Sequence, residues 1–102
     1  CNDQAAKDSA KEIIMSKIDN YGWFKDMNVS VTDENVVDVE TISKDEDLKK
    51  YSCGAKFSYR TNRGTGEAYF EYDISYLEDK GEAEVTVDFK KIIPSIMSTA
   101  MN

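Results

Sequence analysis

Two cysteines and a large set of carboxylates are the side chains of this chain that could do the most chemistry. The cysteines are Cys1 and Cys53, Asp and Glu together number 20, and histidine is absent. Without histidine, neither a Ser-His-Asp nor a Cys-His catalytic arrangement can form, and the commonest metal ligand is missing. Two separated cysteines also cannot make a zinc site. We therefore predict a chain that is not an enzyme and that binds no metal or cofactor.

The carboxylates are concentrated between positions 33 and 47. Their spacing does not match a calcium-binding loop, and the glycine of such a loop is missing. We interpret them as a solvated acidic rim made of Asp33, Glu34, Asp38, Glu40, Asp45, Glu46 and Asp47. Two further pairs, Glu71 with Asp73 and Glu84 with Asp88, have the residue types used by glycosidases. The strand pattern described below puts both pairs on a solvated face rather than in a cleft.

The first residues resemble the start of a mature bacterial lipoprotein. The run Cys1-Asn2-Asp3-Gln4 begins with the cysteine that carries the lipid in that class and continues with polar residues. The resemblance implies a lipid on Cys1 and, because residue 2 is not Asp, a periplasm-facing position on the outer membrane. The alternative is a disulfide between Cys1 and Cys53, which excludes lipidation of Cys1 and points to a secreted soluble protein. By itself, Cys53 is predicted to be a small buried apolar residue.

Length and charge limit the class of protein. With 102 residues, the chain is predicted to form one domain over 1–102, with an anchor segment over 1–4 and an apolar tail over 91–102. The net charge of -7 disfavours nucleic acid and anionic lipid as direct partners. No apolar run reaches the roughly 18 residues that a membrane-spanning helix needs, so the predicted membrane attachment depends on the lipid.

Apolar periodicity predicts a helix at each end of the chain. The first covers 3–19, with Asp3 as its N-cap and one apolar face formed by Ala6, Ala10, Ile13, Ile14 and Ile18. The aromatic cluster Tyr21, Trp23 and Phe24 that follows is interpreted as part of the core. In the tail, Pro94 fits the first turn of a short helix that docks on the core. The alternative is a free apolar segment for a partner.

Between the helices, the period changes to that of strands. Val29–Val31 and Val36–Ile42 predict a hairpin with a turn at 33–35, and 43–50 is interpreted as a loop or a helical turn. Three alternating strands follow, with turns at 61–66 and 78–81. A symmetric closure of the first of these turns predicts four cross-strand pairs: Arg60 with Glu67, Lys56 with Glu71, Phe57 with Phe70 and Cys53 with Ile74.

These elements predict an α+β fold in which the N-terminal helix covers the apolar face of an antiparallel sheet of about five strands. The order of one helix followed by strands is similar to the layout of cystatin-like folds and of several small envelope inhibitors. The likeness is one of topology, because the Gln-x-Val-x-Gly inhibitory loop of cystatins is missing from this chain. Protease inhibition is therefore not implied.

The function predicted from these features is non-catalytic binding or occlusion of a protein partner in the cell envelope, of the exclusion, immunity or secretion-accessory type. A basic partner fits the acidic rim, and Tyr69 and Leu77 are exposed apolar residues on the polar sheet face. The predicted contact residues are Asp33, Glu34, Asp45, Glu46, Asp47, Tyr69 and Leu77. The alternative is a carrier of a small hydrophobic ligand or lipid, with an apolar pocket lined by Tyr51, Phe57, Phe70 and Tyr72.

Overall fold

The described residues form three helices, and the two long ones are those that the sequence predicts. In the computed structural model, which describes residues 1–77 and 82–101 except for the side chains of Leu77 and Glu82, α1 covers Gln4–Asp19, α2 covers Gly22–Asp26 and α3 covers Ile92–Met101. The Asp3 carboxylate caps α1 by accepting a hydrogen bond of 3.3 Å from the Ala5 amide. The buried face of α1 consists of Ala6, Ala10, Ile14 and Ile18, which recur every four residues.

The sheet has four antiparallel strands in the described residues, ordered as they occur in the chain. The strands are β1 (Val31–Asp45), β2 (Lys50–Thr61), β3 (Gly64–Leu77) and β4 (Glu82–Val87). The prediction of about five strands is wrong because the expected hairpin at 33–35 is one continuous strand. Asp33 and Asp38 each have φ of 54°, and the pairing of β1 with β2 shifts register around both. A turn-like Asp-rich sequence thus forms β-bulges here, since Asp tolerates positive φ.

The β1–β2 connection is also shorter than the sequence suggests. Asp45 pairs with Lys50, so the segment interpreted as a loop over 43–50 contributes to both strands and leaves only four residues for the turn. Every residue from Thr41 to Lys50 is exposed. The apolar alternation is lost because neither side of this hairpin end is buried, and a strand without a buried face needs no apolar side chains.

The β2–β3 pairing is two residues away from the expected register. Phe57 lies opposite Ala68 rather than Phe70, and Arg60 lies opposite Thr65 rather than Glu67. The other two expected pairs are wrong by the same amount, because Lys56 lies opposite Tyr69 and Cys53 opposite Tyr72. A shift of two residues leaves each side chain on its expected face, so the predicted separation of apolar and polar faces is confirmed.

The register follows from a tight turn at Asn62 and Arg63, with Thr61 pairing with Gly64. The Thr61 hydroxyl accepts from the Arg63 amide at 3.1 Å and donates to the Gly64 carbonyl at 2.9 Å. Gly64 has φ of 151°, a conformation that favours glycine. The Asn62 side chain holds the turn against the start of β1 by bonding Asn28 and Ser30. The turn predicted at 78–81 lies outside the described residues.

Both long helices pack on the same face of the sheet, which we call the inner face. α1 packs against β1 and β4, and α3 packs against β3 and β2. The prediction that the tail docks on the core is confirmed, because Ile92, Ile96 and Ala100 of α3 are buried. The inner face of the sheet is correspondingly buried. Its most buried side chains are Cys53, Ala55, Phe57, Phe70, Tyr72 and Ile74.

The N-terminus is fastened to this inner face. Cys1 and Cys53 form a disulfide, and the Tyr72 hydroxyl donates a hydrogen bond of 3.0 Å to the Cys1 carbonyl. Cys53 is buried as predicted, but it is bonded to Cys1 rather than being the free thiol first expected. A sulfur in a disulfide cannot also carry a lipid through a thioether, so this structure represents the alternative state of Cys1.

Candidate functional site

The opposite surface of the sheet, which we call the open face, has no helix packed on it in the described part of the chain. It is formed by the side chains that alternate with the buried ones. Along β3, Glu67, Tyr69, Glu71 and Asp73 are exposed while Ala68, Phe70, Tyr72 and Ile74 are buried. An uncovered sheet face at the centre of a small domain is a broad, rigid surface on which side chains are held at fixed spacing.

The open face is acidic. Its described carboxylates are those of Asp33, Asp38, Glu40, Asp45, Glu67, Glu71, Asp73 and Glu84, whereas its cations from the strands are Lys50, Lys56 and Arg60. Lys56 lies 3.7 Å from Asp38 and 3.6 Å from Glu67, and Arg60 lies 3.5 Å from Asp33. These pairs are solvent-exposed, so they contribute little to stability. Because carboxylates outnumber cations, the face presents a negative potential to an approaching partner.

Tyr69 lies on the open face midway along β3, just before the part of β3 that pairs with β4, and Gly54 makes room for its ring. A Cβ built on Gly54 would lie 3.0 Å from Cζ of Tyr69 and 3.2 Å from a carboxylate oxygen of Glu40. The Lys91 ammonium lies 5.2 Å from the centre of the Tyr69 ring, within cation–π distance. The ring is thus supported from below by glycine backbone and flanked by charge, although it remains 36% exposed.

The acidic environment of Tyr69 also affects the pKa of its hydroxyl. Partial desolvation and the negative charges of Glu71 and Glu40 raise the pKa of Tyr69 above its ordinary value. Any tyrosine hydroxyl is protonated at neutral pH, so Tyr69 offers both a hydrogen-bond donor and an apolar ring at the same point. Tyrosine residues with this combination are frequent in protein interfaces, where one end is buried and the other bonds to a polar group.

The acidic rim predicted from the sequence is divided by the structure. Asp33 lies on the open face, but Asp45 lies at the far end of the same strand, roughly 40 Å away at about 3.3 Å per residue. Glu46 and Asp47 are in the exposed β1–β2 turn. Glu34 is half-buried in a depression elsewhere on the molecule. The rim is therefore not one patch, because the residues follow an extended strand instead of a compact loop.

Tyr69 lies on the exposed polar face as the alternation predicted. The Leu77 side chain is outside the described residues. Glu40, Gly54 and Lys91 were not among the predicted contact residues, although they surround Tyr69. The bulge at Asp38 interrupts the alternation of β1, so the sequence spacing does not reveal which face Glu40 is on. Lys91 reaches Tyr69 from the segment after β4. Their proximity depends on strand pairing, which one strand's sequence does not reveal.

The residues expected to line a ligand pocket are part of the packed core. Phe57, Phe70 and Tyr72 are 0%, 1% and 1% exposed, and Phe70 stacks on Tyr72 with ring centres 5.7 Å apart. Tyr51 is half-buried and makes an edge-to-face contact with Tyr76. The depression containing Glu34, of about 270 Å³, lies at the periphery instead, among Met15, Ile18, Tyr21, Phe24, Val29 and Val31.

The pairs with glycosidase residue types lie on exposed surface. Glu71, Asp73 and Glu84 are exposed on the open face, and Asp88 is exposed just after β4. The Ser52 hydroxyl donates to the Asp73 carboxylate at 2.9 Å. Within residues 1–77 and 82–101, no group of three or more Cys, Asp or Glu side chains is placed to hold a metal ion. No helix of that part is both long enough and apolar enough to cross a membrane.

No protein-family model, curated protein or solved structure matches this chain.

Proposed function

We propose that this chain is a non-catalytic binding domain of the cell envelope, and that it binds a basic protein partner through the open face of its sheet. The observation that carries the proposal is that helices cover one face of the sheet and leave the other exposed. Both long helices pack on the inner face, which leaves an acidic face with a supported tyrosine midway along β3. Complementary charge accelerates encounter with a basic partner, and an exposed aromatic ring supplies contact area that the partner can bury.

An oxidising compartment is supported by the disulfide between Cys1 and Cys53. Disulfides persist in secreted, periplasmic and surface proteins and are rare in the reducing cytosol. This supports the envelope location through a different observation from the lipoprotein resemblance. The lipid on Cys1 and the outer-membrane position that it implies stay predictions, and they describe a covalent form of the chain in which Cys53 is a free, buried thiol.

The intact mass of the protein purified from its native cells distinguishes the two forms. A mass about two hydrogens below that of the same chain with two free thiols identifies the disulfide and a domain without the lipid. A lipid-sized excess on the Cys1 peptide identifies membrane attachment. In both forms the open face is unchanged, because Cys1 and Cys53 lie on the inner face, so the binding proposal is tested separately.

The binding proposal is tested by photo-cross-linking from two matched positions. Tyr69 is on the open face and Tyr21 lies beside α1, and their exposures are similar, at 36% and 39%. Each is replaced in turn by benzoylphenylalanine, the protein is irradiated in its native cells, and adducts are resolved by mass. We expect an adduct with one defined protein from position 69 and none from position 21.

An adduct from position 21 alone would overturn the proposal and favour the depression lined by Tyr21 as the contact surface. Absence of an adduct from both positions would also contradict it, since an aromatic side chain in an interface lies within cross-linking distance of the partner. The conservative variant Tyr69→Phe checks that an aromatic replacement at this position leaves the domain folded.

A further inference from the structure

The edge of β3 is unoccupied over half of its length. β4 pairs with β3 only from Tyr72 to Leu77, and the last bond of that ladder runs from the Asp88 amide to the Glu71 carbonyl at 3.0 Å. After Asp88 the chain turns away and enters α3, which packs beneath the inner face. The remaining edge, from Gly64 to Phe70, has β2 on one side and no strand on the other within the described residues.

The backbone groups along this free edge point in a known direction. Tyr76 donates its amide to Lys49, so the even-numbered residues of β3 bond toward β2 and the odd-numbered ones toward β4. Thr65, Glu67 and Tyr69 therefore direct their N–H and C=O groups outward, where no backbone or side-chain partner meets them in the described residues. Their side chains are exposed on the open face. These unused donors and acceptors lie in line with β4.

The other long edge of the sheet is not comparable. β1 has three register shifts, and two of its residues have positive φ, so its backbone groups do not form a regular row. Bulges of this kind prevent another strand from pairing with an edge. The free part of β3 has no register shift in its pairing with β2. One edge is thus blocked and the other is regular and open.

We infer that the free edge of β3, from Thr65 to Tyr69, binds an extended basic segment of the protein partner, which adds antiparallel to β3 as a continuation of β4. This inference rests on the proposed function and specifies where the partner's backbone lies. Addition of a strand to an open sheet edge is an established mode of peptide recognition, in which backbone hydrogen bonds give affinity and alternate side chains give specificity.

The charge at the edge selects the occupant. Residues opposite Thr65, Glu67 and Tyr69 would share the open face with them, where Glu67 and Glu71 are acidic. Basic side chains at alternate positions of the added segment are therefore favoured by cross-strand pairing. A second copy of this chain is disfavoured, because antiparallel pairing of two β3 edges brings the Glu67 and Glu71 carboxylates of both copies onto one short surface.

A depression of about 210 Å³ lies where the edge meets the end of β4. It is lined by Tyr69, Phe70, Glu71, Asp88, Lys90 and Lys91. The added segment would reach this depression at the end nearest Glu71, where an uncharged side chain can enter, because Lys90 and Lys91 disfavour a basic one. This position combines a backbone ladder with a side-chain pocket, as strand-addition sites require.

The test uses three blocked hexapeptides of the sequence Lys-Val-Lys-Val-Lys-Val, added to the whole protein at low salt. In an added strand whose lysines share the open face, the lysine amides donate to β3 and the valine amides point away. One peptide is unmodified, the second is N-methylated at the lysine amides and the third at the valine amides. Both modified peptides have the same charge and composition, so they form a matched pair.

We expect the peptide with methylated lysine amides to bind at least tenfold more weakly than the one with methylated valine amides. We also expect the unmodified peptide to slow hydrogen exchange at the Thr65, Glu67 and Tyr69 amides, followed by NMR. Equal binding of the two methylated peptides would overturn the inference and leave attraction to the acidic face as the cause, so the proposed function would survive. Absence of binding by the unmodified peptide would also overturn it, while the cross-link from position 69 remains the separate test of the function.

Discussion

The two faces of the sheet are made from alternate residues of the same strands, yet they do different physical work. On β3, Phe70 and Tyr72 of the inner face are 1% exposed, whereas Tyr69 of the open face is 36% exposed. The inner face holds the helices, the N-terminus and the core, so its side chains determine whether the domain folds. The open face makes exposed ion pairs that contribute little to folding, so its composition is free to serve a partner. Stability and proposed binding are therefore separable by substitution.

The largest effect should come from the centre of the inner face. Phe57 is 0% exposed, and its ring stacks with that of Tyr59 at 5.8 Å between centres. Phe57→Ala leaves a cavity that the surrounding strands cannot fill, so we expect the free energy of unfolding to fall by about 3–5 kcal/mol. Urea denaturation followed by circular dichroism measures this. A loss below about 1 kcal/mol would show that the inner face is not the core described.

The next largest effect should come from the covalent link between the N-terminus and the sheet. The double variant Cys1→Ser, Cys53→Ala removes a disulfide that spans 52 residues. We expect a loss of about 2–4 kcal/mol, chiefly because the unfolded chain gains conformational freedom. Reduction of the wild-type protein should produce a similar fall, and it serves as the control for the substitutions. Unchanged stability in both experiments would argue that the link does not form in solution.

A smaller effect is expected where α3 is joined to β2. The Tyr59 hydroxyl is 2.9 Å from the hydroxyls of both Ser95 and Thr99. Tyr59→Phe removes these hydrogen bonds but keeps the ring, so we expect a loss of about 1–2 kcal/mol. Tyr76→Phe is the matched control, because Tyr76 is exposed and its substitution should change stability by less than about 0.5 kcal/mol. Equal losses in the two variants would contradict the docking of α3 through Tyr59.

The free energy of unfolding should also depend on pH at high pH, through Tyr72 on the inner face. Burial, with a further contribution from the Asp3 charge, raises the pKa of Tyr72 above its ordinary value. Above pH about 10, the unfolded chain loses this proton before the folded chain does. The stabilisation is therefore complete below that pH and is lost as pH rises through the folded-state pKa. The unfolding free energies of the wild type and Tyr72→Phe should converge as pH rises. Parallel curves would contradict a raised pKa of Tyr72 in the folded protein.

The sequence predicted what alternation and periodicity can reveal. The α1 and α3 helices, the buried side of β2 and β3, and the exposure of Tyr69 all follow from which residues of one element share a face. Strand pairing was less accessible, because the bulge at Asp33 resembles a turn in sequence and the bulge at Asp38 resembles a regular strand. The β2–β3 register depended on a two-residue turn held by Asn62 contacts to a distant segment.

The candidate site was predicted only in part for the same reason. Tyr69 was identified from its own strand, but the neighbours that give it a defined environment come from elsewhere in the chain. Glu40 and Gly54 meet it through pairing of β1, β2 and β3, and Lys91 reaches it from the segment after β4. The free edge at Thr65 and Glu67 exists because β4 is short, a property of the tertiary structure that local sequence patterns do not specify.

The central claim, that the open face binds while the inner face stabilises, is tested most directly by two charge-matched triple variants. The open-face variant is Glu40→Gln, Glu71→Gln, Glu84→Gln, and the control is Asp8→Asn, Glu12→Gln, Asp26→Asn, in which all three residues are exposed on helices. Both remove the same charge, and each substitution should change the unfolding free energy by no more than about 0.5 kcal/mol. The measurement is the yield of the cross-link from position 69 in each background. We predict that the yield falls at least tenfold in the open-face variant and is unchanged in the control; equal yields in the two would contradict the claim.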